Sequence, residues 1–91
     1  MPREEVRYGS QGEGVRELQK YLNQIGGGKY YLKEDGIFGA DTLNVVRDFQ
    51  KNNGLTVDGI VGVNTWAALR ESHKERGRGM VQYRKLVESR C

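Results

Sequence analysis

Leu32-Lys33-Glu34-Asp35-Gly36-Ile37-Phe38-Gly39-Ala40-Asp41-Thr42 decides the architecture. Its skeleton returns 23 residues later as Leu55-Thr56-Val57-Asp58-Gly59-Ile60-Val61-Gly62-Val63-Asn64-Thr65. Both stretches keep a Leu, an Asp-Gly pair, an apolar pair, a Gly and a Thr in register. An Asp side chain accepts from nearby backbone amides and Gly takes positive φ cheaply, so Asp35-Gly36 and Asp58-Gly59 read as turns. The apolar pair behind each turn plugs the core. Gly39 and Gly62 are tolerable helix N-caps, and Thr42 and Thr65 fall in the first helical turn, where a hydroxyl reaches backbone groups. Each copy is therefore a turn followed by a helix start.

A second echo lies on the helices themselves. Val15-Arg16-Glu17-Leu18-Gln19 matches Val46-Arg47-Asp48-Phe49-Gln50 in chemical type at every position. Upstream of the first copy, Ser10-Gln11-Gly12-Glu13 has the S-x-x-E form of a capping box, which predicts a helix over about 11–25. Val15, Leu18, Leu22 and Ile25 share one face of it, and Gly26-Gly27-Gly28 ends it. A second helix is expected over about 40–52, with Leu43, Val46 and Phe49 inward and Gly54 as its stop. A third, over about 63–72, turns Trp66 and Leu69 inward, with Ala67 and Ala68 allowing close approach. Such short helices do not persist alone, so packing must hold them. The fold class is all-α: a compact three-helix bundle with two Asp-Gly turns. Short extended pieces around Leu32 and Val57 are expected to pair as a small ribbon.

Ninety-one residues suffice for one core, and the mix of 36% hydrophobic and 30% charged residues is polar but well patterned. No apolar run approaches the length needed to span a bilayer, and the first residues lack a signal-peptide core, so a soluble chain without an export address is expected. The net charge of +3 is uneven: residues 1–73 hold nine Lys/Arg against ten Asp/Glu, residues 74–91 six against two. Residues 1–73 are thus expected to form the domain, with 74–91 a basic, Gly-containing link. Met80, Tyr83 and Val87 then return at helical spacing, predicting a short helix over 80–89 that seeks a partner. The near-neutral body lacks the basic face of a nucleic-acid-binding domain.

Catalytic chemistry finds little support. Zinc hydrolases need several converging ligands and His73 is the one histidine, so neither a metal nor another cofactor is expected. Cys91 is the one cysteine, with no buried setting in view to activate it. Asp35 and Asp58 invite comparison with a glycosidase carboxylate pair, but both are explained as turn acceptors.

Gly9-Ser10, Gly12, Val15, Leu18-Gln19, Leu22, the first Asp-Gly turn, Phe49-Gln50, Gly54-Leu55 and Asp58-Gly59-Ile60-Val61-Gly62 with Thr65-Trp66 together resemble the peptidoglycan-binding domain 1 family. The resemblance covers about residues 7–70. It departs from the family at Val45, where Ala is common, at Val63, where Pro is frequent, and in a long 26–31 loop. It implies a non-catalytic three-helix module that docks a lytic enzyme or phage particle onto bacterial peptidoglycan, with any catalytic domain outside this chain. Residues 80–89 would engage a hydrolase domain or another protein. The alternative is a structural protein that uses the same fold and its C-terminal helix for docking or oligomerisation.

A peptidoglycan receptor needs a shallow groove, amide-bonding side chains and an aromatic platform. The candidates are Tyr30 and Tyr31 in the Gly-flanked loop, with Gln50, Asn52, Asn53 and Asn64 around the junction of the second and third helices. The competing reading has one tyrosine closing the core, and Asn52-Asn53-Gly54 also reads as a helix C-terminal turn.

Overall fold

The computed structural model describes residues 5–77, with side chains described as far as residue 74. The expected helix over 80–89 lies outside the described residues. Three helices are present: α1 over Glu13–Gly26, α2 over Ala40–Asn52 and α3 over Val63–Gly77. On α1 the buried residues are Val15, Leu18, Gln19 and Leu22, an i, i+3, i+4, i+7 face. On α2 they are Thr42, Val46, Phe49 and Gln50, and on α3 Trp66 and Leu69 point into the same core. α1 packs against both other helices.

Leu18, Leu22 and Leu69 are all fully buried. Each contributes about 1.5–3 kcal/mol through the apolar area it removes from water. Phe38 and Val61, the apolar residues behind the two Asp-Gly pairs, are also buried, at 1% and 0% exposure. Trp66 meets Tyr21 edge-on, with ring centroids 6.4 Å apart. It is therefore a core residue.

Two local expectations fail for one shared reason. The Ser10 capping box does not form: α1 is capped by Gly12 at φ 125°, with no side-chain cap bond. Ser10 is instead drawn into extended pairing, where its carbonyl accepts from Phe38 N at 2.9 Å while Gly9 N donates to Phe38 O at 2.9 Å. Its hydroxyl accepts from Arg7 N. The expected ribbon between the Leu32 and Val57 regions is likewise absent. Isolated antiparallel bridges join Gln11 to Ile37 and Val6 to Val61. The segment preceding α1 pairs with both Asp-Gly loops, while the Leu32 backbone is taken up by the Asn23 side chain.

α3 runs on to Gly77, beyond the expected end near residue 72, because no breaker interrupts Ser72-His73-Lys74-Glu75-Arg76. α1 ends as expected in the glycine run, with Gly27 in the left-handed conformation and its N–H on Gln24 O. α2 closes on Asn53, whose backbone N–H and side-chain amide both donate to Phe49 O.

Candidate functional site

Two buried glutamines organise the surface around the Asp-Gly turns. Gln19 Nε2 donates to Asp35 Oδ1 at 3.2 Å, Ile37 O at 2.9 Å and Thr42 Oγ1 at 3.2 Å, and its Oε1 accepts from Gly36 N at 2.9 Å. Gln50 does the same one turn later. Its Nε2 donates to Asp58 Oδ1 at 3.0 Å, Ile60 O at 3.0 Å and Thr65 Oγ1 at 3.2 Å, and its Oε1 accepts from Gly59 N at 3.0 Å and Asp58 N at 3.2 Å. Each glutamine thus clasps an Asp-Gly turn to the first turn of the following helix. Both are almost fully buried, at 1% and 0% exposure, so every polar atom they carry must find a partner inside the protein.

The geometry of the turns follows from this. Asp35 Oδ1 also accepts from Ile37 N at 3.0 Å, and Asp58 Oδ1 from Ile60 N at 2.9 Å. Gly36 and Gly59 sit at φ 76° and 74°, where a side chain is strained. A Cβ on Gly59 would also lie 2.6 Å from Leu43 Cδ1. The Ile37 amide and the Gln19 amide hold the Asp35 carboxyl below its ordinary pKa, with Lys33 adding a little. Asp58 is lowered in the same way by Ile60 N and Gln50, with help from Arg7. Carboxyls held ionised in this way are poor proton donors near neutrality, so the pair lacks the general acid that glycoside cleavage requires. Thr42 and Thr65, expected to reach backbone groups, accept from the glutamines instead.

A groove opens to solvent over each clasp. The first, about 290 Å³, is lined by Leu32, Lys33, Asp35, Ile37, Asp41 and Thr42 with the α2 entrance at Gly39 and Ala40. The second, about 350 Å³, is lined by Leu55, Thr56, Asp58, Ile60, Asn64 and Thr65 with the α3 entrance at Gly62 and Val63, and by Glu5. Asn23 steadies the first groove: its side chain makes a two-way bond with the Leu32 backbone, donating to Leu32 O at 2.8 Å and accepting from Leu32 N at 2.7 Å.

The six candidate binding residues do not converge on one spot. Tyr30 is half-buried, and its hydroxyl donates to Asp48 Oδ2 at 2.6 Å. Burial, reinforced by that carboxylate, pushes the phenol up to about 12. Asp48 in turn is lowered by Tyr30, Lys29 and Asn52. Asn52 donates to the same carboxylate, and Asn53 is turned back onto α2. Gln50 is committed to its clasp. Tyr31 is 85% exposed. Asn64 lines the second groove. Gln19 was not marked by its local sequence except in one respect: it holds the same place in the helix-face echo as Gln50.

Among the described residues no group of three or more His, Cys, Asp or Glu is placed to hold a metal ion, and no helix is long and apolar enough to cross a membrane. The fold and the paired clasps define a three-helix module with two surface grooves beside its turns, a receptor architecture. Residues 11–69 match the peptidoglycan binding domain family PG_binding_1, and the chain belongs to that family. It is 40% identical over 67 residues to a spore cortex-lytic enzyme of Halalkalibacterium halodurans, an alignment covering 74% of this chain and 20% of that protein. The chain thus spans about a fifth of that relative's length. The crystal structure of the SleB N-terminal domain superposes with a TM-score of 0.71 at 38% identity, covering 78% of this chain and 94% of that one. A Burkholderia AP3 phage endolysin superposes at 0.66 with 36% identity, over 72% of this chain and 24% of the endolysin.

Proposed function

We propose that this chain is a targeting module that holds a lytic activity against the bacterial cell wall without cutting it. The observation that carries this is family membership across residues 11–69 in a domain whose described residues offer polar grooves and two ionised, locked carboxylates. The spore cortex-lytic and endolysin relatives are far longer than the shared domain, which supports a hydrolase domain or separate enzyme as its partner. Tethering raises that enzyme's concentration at its polymer without any new contact at its active site. The ligand is the amide-rich peptidoglycan surface, with Tyr31, which is 85% exposed, and Asn64, which lines the second groove, as the members of the candidate set that meet it.

Pull-down on purified insoluble wall tests the proposal. The chain co-sediments with wall and releases no soluble sugar or peptide from it. A chain that stays in the supernatant refutes the targeting role, and released products refute the non-catalytic one. Binding that vanishes at moderate salt and depends on residues 74–91 assigns the attraction to the basic tail instead.

A further inference from the structure

The two grooves share more than a sequence echo. Leu32, Asp35, Ile37, Gly39, Ala40, Asp41 and Thr42 line the first; the residues 23 positions later, Leu55 to Thr65, line the second at every one of those places. Each groove has a carboxylate whose Oδ1 is locked by two bonds, while among the described residues no hydrogen bond falls on its Oδ2. Each also has a threonine, 3% and 5% exposed, whose oxygen accepts from the clasp. No described group accepts either threonine's hydroxyl hydrogen. A cation acts on each carboxylate, Lys33 from within the lining of the first groove and Arg7 from outside the lining of the second. The remaining charges are Asp41 at the first groove and Glu5 at the second, the latter ion-paired with Arg7.

Resting on the wall-binding function, we propose that the domain is bivalent: the two grooves are equivalent receptors, each taking one peptide branch of the polymer. A peptide amide supplies an N–H for the open Asp Oδ2 and a carbonyl for the threonine hydroxyl, and the flanking Leu and Ile pack an aliphatic side chain. One peptide group supplies donor and acceptor together, so that neither the threonine hydroxyl hydrogen nor the open carboxylate oxygen is left unpaired when the ligand covers the groove. Two weak contacts on one rigid domain against a repeating polymer give avidity far above either contact.

The test uses the full chain and a soluble disaccharide–tetrapeptide prepared from purified peptidoglycan, with backbone amide NMR shifts as readout. Both the 36–42 and the 59–65 amides move on titration. Ala40 and Val63 are exposed groove-rim residues, so Ala40→Trp blocks the first groove and Val63→Trp the second, with circular dichroism melts confirming that each variant folds. Each single variant then keeps shifts in the open groove alone and loses about 10²-fold in affinity for insoluble wall, and the double variant loses both. Shifts confined to one groove or to the Tyr30-Tyr31 loop, or single variants that hold wall as tightly as wild type, overturn bivalency while leaving wall binding standing. A wild-type chain that does not bind wall overturns both proposals.

Discussion

Gln50→Glu changes one atom and reverses how stability depends on pH. The side chain is fully buried, and its Nε2 faces Asp58 Oδ1 at 3.0 Å, Ile60 O at 3.0 Å and Thr65 Oγ1 at 3.2 Å. A carboxylate there keeps the bond from Gly59 N but sets an anion against an ionised Asp and a carbonyl. Such burial with a like charge raises a carboxyl pKa by about 3–5 units. Because the group protonates rather than stay charged, the loss at neutrality is set by the distance from the unfolded pKa of about 4.3 up to pH 7, about 3.5 kcal/mol at about 1.4 kcal/mol per unit, against a typical total of about 5–15 kcal/mol. A folded pKa raised above the unfolded value of about 4.3 gives stability that is complete below that value and is lost as pH rises through the folded pKa. The variant therefore regains stability on acidification from about pH 7.5 to about pH 5, a range that lies above the lowered pKa of Asp35, Asp48 and Asp58. Urea unfolding followed by fluorescence of the buried, single tryptophan Trp66 measures it. A variant with the same midpoint at both pH values, or one that weakens on acidification, refutes the clasp as described. Gln50→Leu serves as the control: it strands the buried Gly59 N–H, costs about 1–3 kcal/mol or more and shows no such pH slope.

Gly59→Ala is destabilised by about 1–3 kcal/mol in the same unfolding assay, because the left-handed φ and the Leu43 contact both penalise a Cβ. Tyr30→Phe loses a bond to a charged acceptor and about 1.5–3 kcal/mol by thermal melt. Because the folded Tyr30 pKa is raised from 10.0 to about 12, its contribution is complete below the ordinary value and disappears as pH climbs through the folded one, visible in an alkaline stability titration. Asp35 and Asp58, both lowered, contribute stability that is present above the usual carboxylate range of about 4 and falls away in more acid solution, and Asp35→Asn flattens that acid limb in a pH-dependent melt. Asn23→Ala frees the Leu32 backbone, so its amide exchanges with solvent about tenfold faster or more by hydrogen-exchange NMR.

Much of the architecture was legible in the sequence because helical periodicity and glycine stops are local signals. Helix α2 was placed at its observed bounds, and α1 lay within two residues of them. The capping box misled because Ser10 had two uses for its backbone, and only tertiary pairing with Phe38 decided between them. Gln50 stood out as a surface amide because polar residues usually face water. Its buried place is visible only when the apolar stripe is extended, since Gln19 falls at i+4 from Val15 and Gln50 at i+4 from Val46. The grooves arise from residues far apart in the chain, so their pairing emerges only when both echoes are laid on the folded domain.

In the register of the 23-residue repeat, Leu69, Ser72 and His73 of α3 stand in the places of Val46, Phe49 and Gln50 of α2. Leu69 remains buried, but Ser72 and His73 are only partly so, and among the described residues no Asp-Gly turn is clasped from α3. In this sense α2 is shared: it completes one unit and begins the next, as stacked units do in a solenoid. The place a third clasp would take is held by His73, whose ring instead packs at a tilt on Tyr21 at 4.8 Å and so turns that face of α3 back onto α1.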